Sequence, residues 1–288
     1  MKSFCIKTND SNILDYLLNR IEEINFESLV YSKNQFSIYE NMIIHYYGDN
    51  PTNFYDFLGS LIEEVIIEFY EEKMIKQLIN YNYFYFDEYE RKKILDNCIQ
   101  MKETEEYLEL IENQEYIKKE AMKYIQENKF MVLDGFVNFR LEKYYHCLDN
   151  MTDDAVNQFI IEKEYTEFIN LLRIYVDSKP VETGTLHLIY MNGESILLDE
   201  HKNIVSVSDN IYNAQYLSDI SFSSNDFALN TLLTLLPEKL EIHLIDEEDE
   251  FINTLKLIFE GRISICKECN ICKTYQLLNH AKLEPRGR

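Results

Sequence analysis

The sequence predicts an α+β fold, and three observations carry that expectation. Gly 7 and Pro 4 leave few chain breakers in 288 residues, against ~12% in average usage, so long helices are expected. Residues 52–177 carry apolar side chains mostly at helical spacing. Beyond Pro180 the period changes to alternation around Asn192-Gly193, the strongest short-range hairpin signal.

Taken in order, Lys2 to Lys7 reads as a strand and Ser11 to Ile24 as an amphipathic helix. Ser28 to Tyr31 and Gln35 to Tyr47 read as further strands. Asn50-Pro51-Thr52 is a helix start. Phe54, Phe57, Leu58, Leu61, Ile62, Val65, Ile66 and Phe69 then follow at spacings of three and four, in a pattern running to about Asn80. An aromatic run at Tyr81 and Tyr83 to Phe86 precedes a second helix through Ile94, Leu95 and Cys98. The clearest helix is expected to begin at Thr152 as N-cap, backed by Asp153 and Asp154, and to stop before Lys179-Pro180. Its expected buried stripe is Val156, Phe159, Ile160, Tyr165, Phe168, Ile169, Leu172, Tyr175 and Val176.

After the hairpin, a helix is expected near Asp226 to Leu236 and a strand over Leu240 to Ile245. A helix from Glu250 to Glu260 ended by Gly261 and a strand over Ile263 to Cys266 follow, a strand-helix-strand unit that favours a parallel pair in a mixed sheet. Three portions result: 1–50, α/β; 51–180, helical; 181–288, mixed sheet and helices ending in a cysteine knuckle. No linker separates them, which leaves one compact body open, and neither a repeat nor a low-complexity tract occurs.

Composition excludes several classes. A net charge of −23 repels polyanions, which disfavours a duplex nucleic-acid binder or an anionic-membrane protein as a description of the acidic body. The 46% apolar fraction, with Tyr 22, Phe 17 and Trp 0, argues against disorder. The first twenty residues lack a signal-peptide core, and no segment approaches the ~18 apolar residues of a membrane span. A folded, soluble protein with no membrane association and a cytoplasmic location is the expectation.

Four stretches, NYFYFDEYERKKIL from Asn82, GFVNFRLEKY from Gly135, FIIEKEYTEFINLLRIYVD from Phe159 and IFEGRISICKECNICK from Ile258, stand in an order and spacing that resemble the YtxC-like family, sporulation proteins of endospore-forming Firmicutes. The resemblance covers essentially the whole chain. It implies a sporulation context and carries over no catalytic residue.

The sharpest chemical feature is Cys266, Cys269 and Cys272, a C-x2-C-x2-C run just after a strand. The other cysteines, Cys5, Cys98 and Cys147, are scattered, so in a reducing compartment the cluster points to metal or redox chemistry rather than to a disulfide framework. Three thiolates at this spacing can wrap one zinc ion or hold an iron-sulfur cluster. The ferredoxin pattern is incomplete, because Gln276 stands where its fourth cysteine would be. Candidates for the fourth ligand are His280, His243, a distant cysteine, a second subunit or an exchangeable group. The plain alternative is three reduced thiols in a tail. Basic neighbours Lys267 and Lys273 would favour ionised sulfurs.

From Gly261 onward six basic residues, Arg262, Lys267, Lys273, Lys282, Arg286 and Arg288, meet only Glu268 and Glu284. Such a tail could touch RNA or an acidic partner, although short basic tails are more often solvating. Glu164 and Glu167 lie three apart, an acid/base pair if burial split their pKa values. Structural ion pairs of Glu162, Glu164 and Glu167 with Arg140 or Arg173 are the expected use. The aromatic run is expected to be core. His45, His146, His187 and His201 fall in no metal-ligand spacing, and G-x-G-x-x-G, P-loop and G-x-S-x-G patterns are missing.

The reading is a binding or regulatory protein with a protein partner and a structural or redox-sensing metal knuckle. The alternatives are a metal-dependent enzyme and an RNA-associated factor using the tail. A filled four-ligand site without a pocket would favour the binder, and three ligands facing a cleft would favour the enzyme.

Overall fold

The computed structural model describes residues 1–24, 26–36, 39–102, 104, 108–205 and 223–283, with side chains except at 108–114 and 278–283. The fold is α+β, as expected. The chain divides into two compact units, Met1–Glu162 and Lys163–Arg288.

In the first unit a four-stranded sheet has the order β2-β3-β1-β4. Its strands are β1 (Lys2–Thr8), β2 (Leu29–Gln35), β3 (Glu40–Tyr46) and β4 (Phe130–Val132). β1 and β3 pair antiparallel from Lys2↔Tyr46 to Thr8↔Glu40. The strand expected from residue 35 therefore starts at Glu40. β4 lies parallel to β1, with Cys5 opposite Phe130. It interrupts the helical middle, and three residues are too few to leave a periodic trace in sequence. Helix α1 (Ser11–Ile24) buries Ile13, Leu14, Leu17 and Ile21.

α2 (Pro51–Val65) begins as expected, with Asn50 accepting from the Thr52 N–H at 3.0 Å and Pro51 at its first position. It buries Phe54, Phe57, Leu58, Leu61, Ile62 and Val65. α5 (Leu108–Glu127) passes so close that a Cβ on Gly59 would stand 2.6 Å from the Met122 side chain. A π-helical turn, Ile66–Tyr70, leads into α3 (Glu71–Asn82). π turns place side chains off the regular helical face. Here Tyr70 donates to Asp134 at 2.8 Å, and the fully buried Glu71 accepts from Lys102 Nζ and the Tyr144 hydroxyl.

Of the aromatic run, Tyr81 lies in α3 and Tyr83 to Phe86 in the turn before α4 (Glu88–Lys102). Phe86 is buried edge-on against Phe159, whereas Tyr81, Phe84 and Tyr85 are exposed, contrary to the core expectation. α6 (Leu133–Arg140) follows β4.

The long helix α7 runs Glu142–Ser178 and starts ten residues before the expected cap. Thr152 is interior and fully buried, and its hydroxyl donates to the Leu148 carbonyl at 2.7 Å. A hydroxyl satisfied by the preceding turn does not need a helix end. The division between units falls within α7. Val156 and Phe159 pack in the first unit's core and Ile169 and Val176 in the second's, while Tyr165, Phe168 and Tyr175 of the expected stripe are exposed.

In the second unit β5 (Thr183–Met191) and β6 (Glu194–Leu198) form the expected hairpin, with Asn192 and Gly193 at φ 55° and 76°, both positive as a two-residue turn requires. α8 (Ser224–Leu235) opens on a Ser223/Asp226 capping box. β7 (Pro237–Leu244) and β8 (Ile263–Cys266) flank α9 (Glu250–Ile258), whose first turn is capped by Asp249. α10 (Asn270–Leu283) closes the described chain. The sheet order is β6-β5-β7-β8, with β5/β7 and β7/β8 parallel and β5/β6 antiparallel, the mixed sheet expected.

Leu240, Ile242 and Leu244 of β7 join Leu186, Leu188 and Tyr190 of β5 in the second core. Strand alternation therefore turns Glu241, His243 and His187 to the opposite face. That face carries the site.

Candidate metal centre

The site begins with strand register. His243 lies opposite Cys266 across β7/β8, and Glu241 lies opposite His187 across β5/β7. All four therefore belong to one face of the sheet. After Cys266 the chain turns, and Cys269 and Cys272 arrive at the start of α10.

Cys269 Sγ stands 3.3 Å and Cys272 Sγ 3.5 Å from His243 Nδ1. Cys272 Sγ is 3.6 Å from Cys269 Sγ and 3.8 Å from Cys266 Sγ. One ligand atom from each of the four residues lies within 4.8 Å of all the others, close enough to hold a metal ion. Cys272 and His243 are buried, and Cys266 and Cys269 are half-buried.

Electrostatics favour the ligating form of Cys269 and His243 and oppose it at Cys272. Burial raises the Cys269 thiol, but backbone N–H groups of Cys272 and Ile271 and the neighbouring thiols outweigh it and hold Cys269 below its usual range. Burial first, and then the hydrogen bonds with Cys269 and Cys266, push Cys272 up to about 12. Burial also lowers His243, against the opposing charge of Glu241, which keeps the imidazole neutral as a metal ligand requires.

Behind His243 stands a second layer. Its Nε2 lies 3.1 Å from His187 Nδ1, between rings inclined by 22°, and Glu241 Oε2 is 3.7 Å from the same His187 nitrogen. A proton on His243 Nε2, donated to His187, leaves the Nδ1 lone pair free for the metal.

An open cleft of 710 Å³ borders the cluster. Cys266 and Cys269 line it together with Lys239, Glu241, Ser264 and Lys267. The centre thus combines four ligands with an adjacent cleft, taking one feature from each outcome that would separate binder from enzyme.

A model of the YtxC-like family matches residues 56–264. The chain belongs to the YtxC-like family. Within it the chain is 24% identical over 216 residues to "Uncharacterized protein YtxC" of Bacillus subtilis (strain 168), covering 73% of this chain and 76% of that relative. No solved structure matches. The family match includes His187, Glu241 and His243 and ends two residues before Cys266.

The other sequence candidates sort plainly. Among the described residues, His243, one of several possible fourth ligands, is brought to the sulfurs. His280 lies on α10, and its side chain is outside the described residues. Cys5, Cys98 and Cys147 belong to the first unit and take no part in the cluster. Glu162, Glu164 and Glu167 are all exposed, which removes the burial that an acid/base pair would need. Arg173 pairs with Glu260 at 2.5 Å and Asp177 at 3.9 Å, and Arg140 lies over the Tyr124 ring.

In the basic tail, Arg262 is structural, donating to the carbonyls of Pro237 and Val176. Arg286 and Arg288 lie outside the described residues, as does the Lys282 side chain. Sequence reasoning treated His187 as isolated and missed Glu241. The usable signal was alternation, which places residues 241 and 243 on one face of a strand paired with the cysteine strand. Among the described residues no helix is long and apolar enough to cross a membrane.

Proposed function

We propose that this family member is a cytoplasmic binding or regulatory protein of sporulation, in which one zinc ion on Cys266, Cys269, Cys272 and His243 ties α10 to the sheet for a protein partner. One observation carries the zinc assignment. With Zn–S of ~2.3 Å and Zn–N of ~2.0 Å, a tetrahedral ion sets S···S edges of about 3.8 Å and S···N edges of about 3.5 Å. Four of the six edges are 3.6 and 3.8 Å between sulfurs and 3.3 and 3.5 Å to nitrogen, and the two from Cys266 to Cys269 and to His243 are within 4.8 Å. In a [4Fe–4S] cluster each thiolate binds a different iron, and in a [2Fe–2S] cluster two protein ligands share each iron, so three sulfurs and a nitrogen do not all meet at the edges of one single-ion site. The set has the composition of a Cys3His structural site, and such sites contribute folding energy directly.

The test is metal analysis of protein purified without oxygen, for wild type, the triple Cys→Ser variant and His243→Ala. One zinc per chain in wild type, lost from the triple variant and weakened in His243→Ala, is expected. Iron with acid-labile sulfide would replace zinc by a cluster, and metal-free wild type would remove the metal reading. Sporulation is tested separately, by spore counts after deletion of the gene in its host and complementation with the triple variant.

The cleft beside Cys266 and Cys269 favours a second reading, a metal-dependent enzyme. It requires one protein ligand to give way to substrate, since four are already in place.

A further inference from the structure

We propose that Cys269 and Cys272 form a thiol-disulfide exchange pair, Cys269 attacking and Cys272 resolving, with small disulfides as the substrate class. The inference rests on the zinc reading of this site, because the same two sulfurs hold the ion, and it adds the reaction that releases it.

Three features of placement carry it. Cys269 immediately precedes α10, a helix of 14 residues, and Cys272 lies in its first turn. Cys269 lines the open cleft, where a disulfide can reach it, whereas Cys272 is fully buried. The two sulfurs are 3.6 Å apart, so the resolving sulfur is already beside the attacked one. A half-buried first cysteine on a cleft and a fully buried second one, separated by two residues at a helix start, match the division of labour of a C-x-x-C dithiol.

The chemistry closes without a further oxidant. The Cys269 thiolate attacks one sulfur of R–S–S–R, forming the Cys269–S–S–R bond, and the broken S–S electron pair leaves as RS⁻. Cys272 then attacks the Cys269 sulfur, forming the internal disulfide and expelling the second RS⁻. The pair gives up two electrons and two protons, and the substrate becomes two thiols. With two of its three thiolates consumed, zinc loses its site, and α10 loses its tie to the sheet.

The experiment uses the full chain, zinc-loaded and zinc-stripped, with oxidised glutathione as the probe. Mass mapping locates adducts, and a chromophoric chelator follows released zinc. In wild type a Cys269–Cys272 disulfide is expected, accompanied in the loaded sample by zinc release. Cys272→Ser should trap one glutathione on Cys269. Cys269→Ser should react at least about tenfold more slowly at the remaining cluster thiols.

A Cys272→Ser adduct on Cys266 would overturn the assignment. So would reaction at Cys269 no faster than at the half-buried Cys5 and Cys147 of the same chain. The two readings fail separately: wild type that never binds zinc yet forms the disulfide removes only the zinc site, and zinc-binding protein whose stripped cluster stays inert removes only the exchange pair.

Discussion

His187 and His243 meet nitrogen to nitrogen at 3.1 Å across neighbouring parallel strands, both buried. The contact settles how His243 can serve the cluster. With Nε2 engaged by His187, its Nδ1 is the nitrogen that faces Cys269 and Cys272. Removing His187 strands the buried Nε2 proton and lets the ring turn. His187→Ala should therefore weaken zinc binding by roughly 10- to 100-fold, while all four ligands remain. Competition against a chromophoric chelator measures this, and unchanged affinity would mean that His187 does not orient the ligand.

Ile242 lies between Glu241 and His243 on β7 but points the other way, fully buried in the second core. Ile242→Ala should cost about 2 to 5 kcal/mol. Leu172→Ala should cost clearly less, because Leu172 is only partly buried against the same core. Denaturant midpoints of the two variants, with unchanged m-values, give the comparison. Equal losses would contradict the packing described for α7.

What the sequence made legible was local. The three cysteines were found because ligand reach within a seven-residue turn is fixed by the turn itself. The Asn192-Gly193 hairpin was found because positive φ is a property of single residues; Gly261 also adopts φ 82°, although α9 ends earlier, at Ile258 with Phe259 as its C-cap. His187 and Glu241 were not found, because their partnership follows from the β5/β7 register, and register is set by which residues the core accepts rather than by spacing along the chain. Thr152 misled for a related reason. The same hydroxyl that caps a helix start can bond back to the preceding turn, and only packing decides which.

Tyr144 donates to the buried Glu71. Tyr144→Phe removes a hydrogen bond to a charged acceptor that has no access to water, so it should cost about 1.5 to 3 kcal/mol. Burial first, and then the charge and hydrogen bond of Glu71, raise the Tyr144 hydroxyl above its ordinary range. A raised folded-state pKa gives stability that is complete below the unfolded value of ~10 and falls as pH rises beyond it, because the unfolded chain then releases a proton that the folded one retains. Stability of the wild type should therefore fall above pH ~10. The fall should be shallower in Tyr144→Phe, with equilibrium unfolding against pH as the measurement. Parallel curves for the two proteins would show that Tyr144 does not contribute to the alkaline loss.

Metal removal should act on one end of one unit. α10 makes few contacts with β7 apart from the cysteine turn, and Arg262, which ties the preceding segment to the carbonyls of Pro237 and Val176, is independent of the cluster. In the first unit, Lys102 and Tyr144 both donate to Glu71 and use no cluster residue. Chelation under reducing conditions should therefore raise hydrogen exchange in the first turns of α10 and at Cys266, leaving β1, β3 and α2 as protected as before. Local opening has this signature because the metal supplies folding energy only to the segments it joins. Re-addition of zinc should restore protection, and the triple Cys→Ser variant should match the chelated pattern without responding to zinc. Exchange in α10 that is the same with and without metal would show that the ion does not hold the helix in place, and the structural role proposed for it would fall.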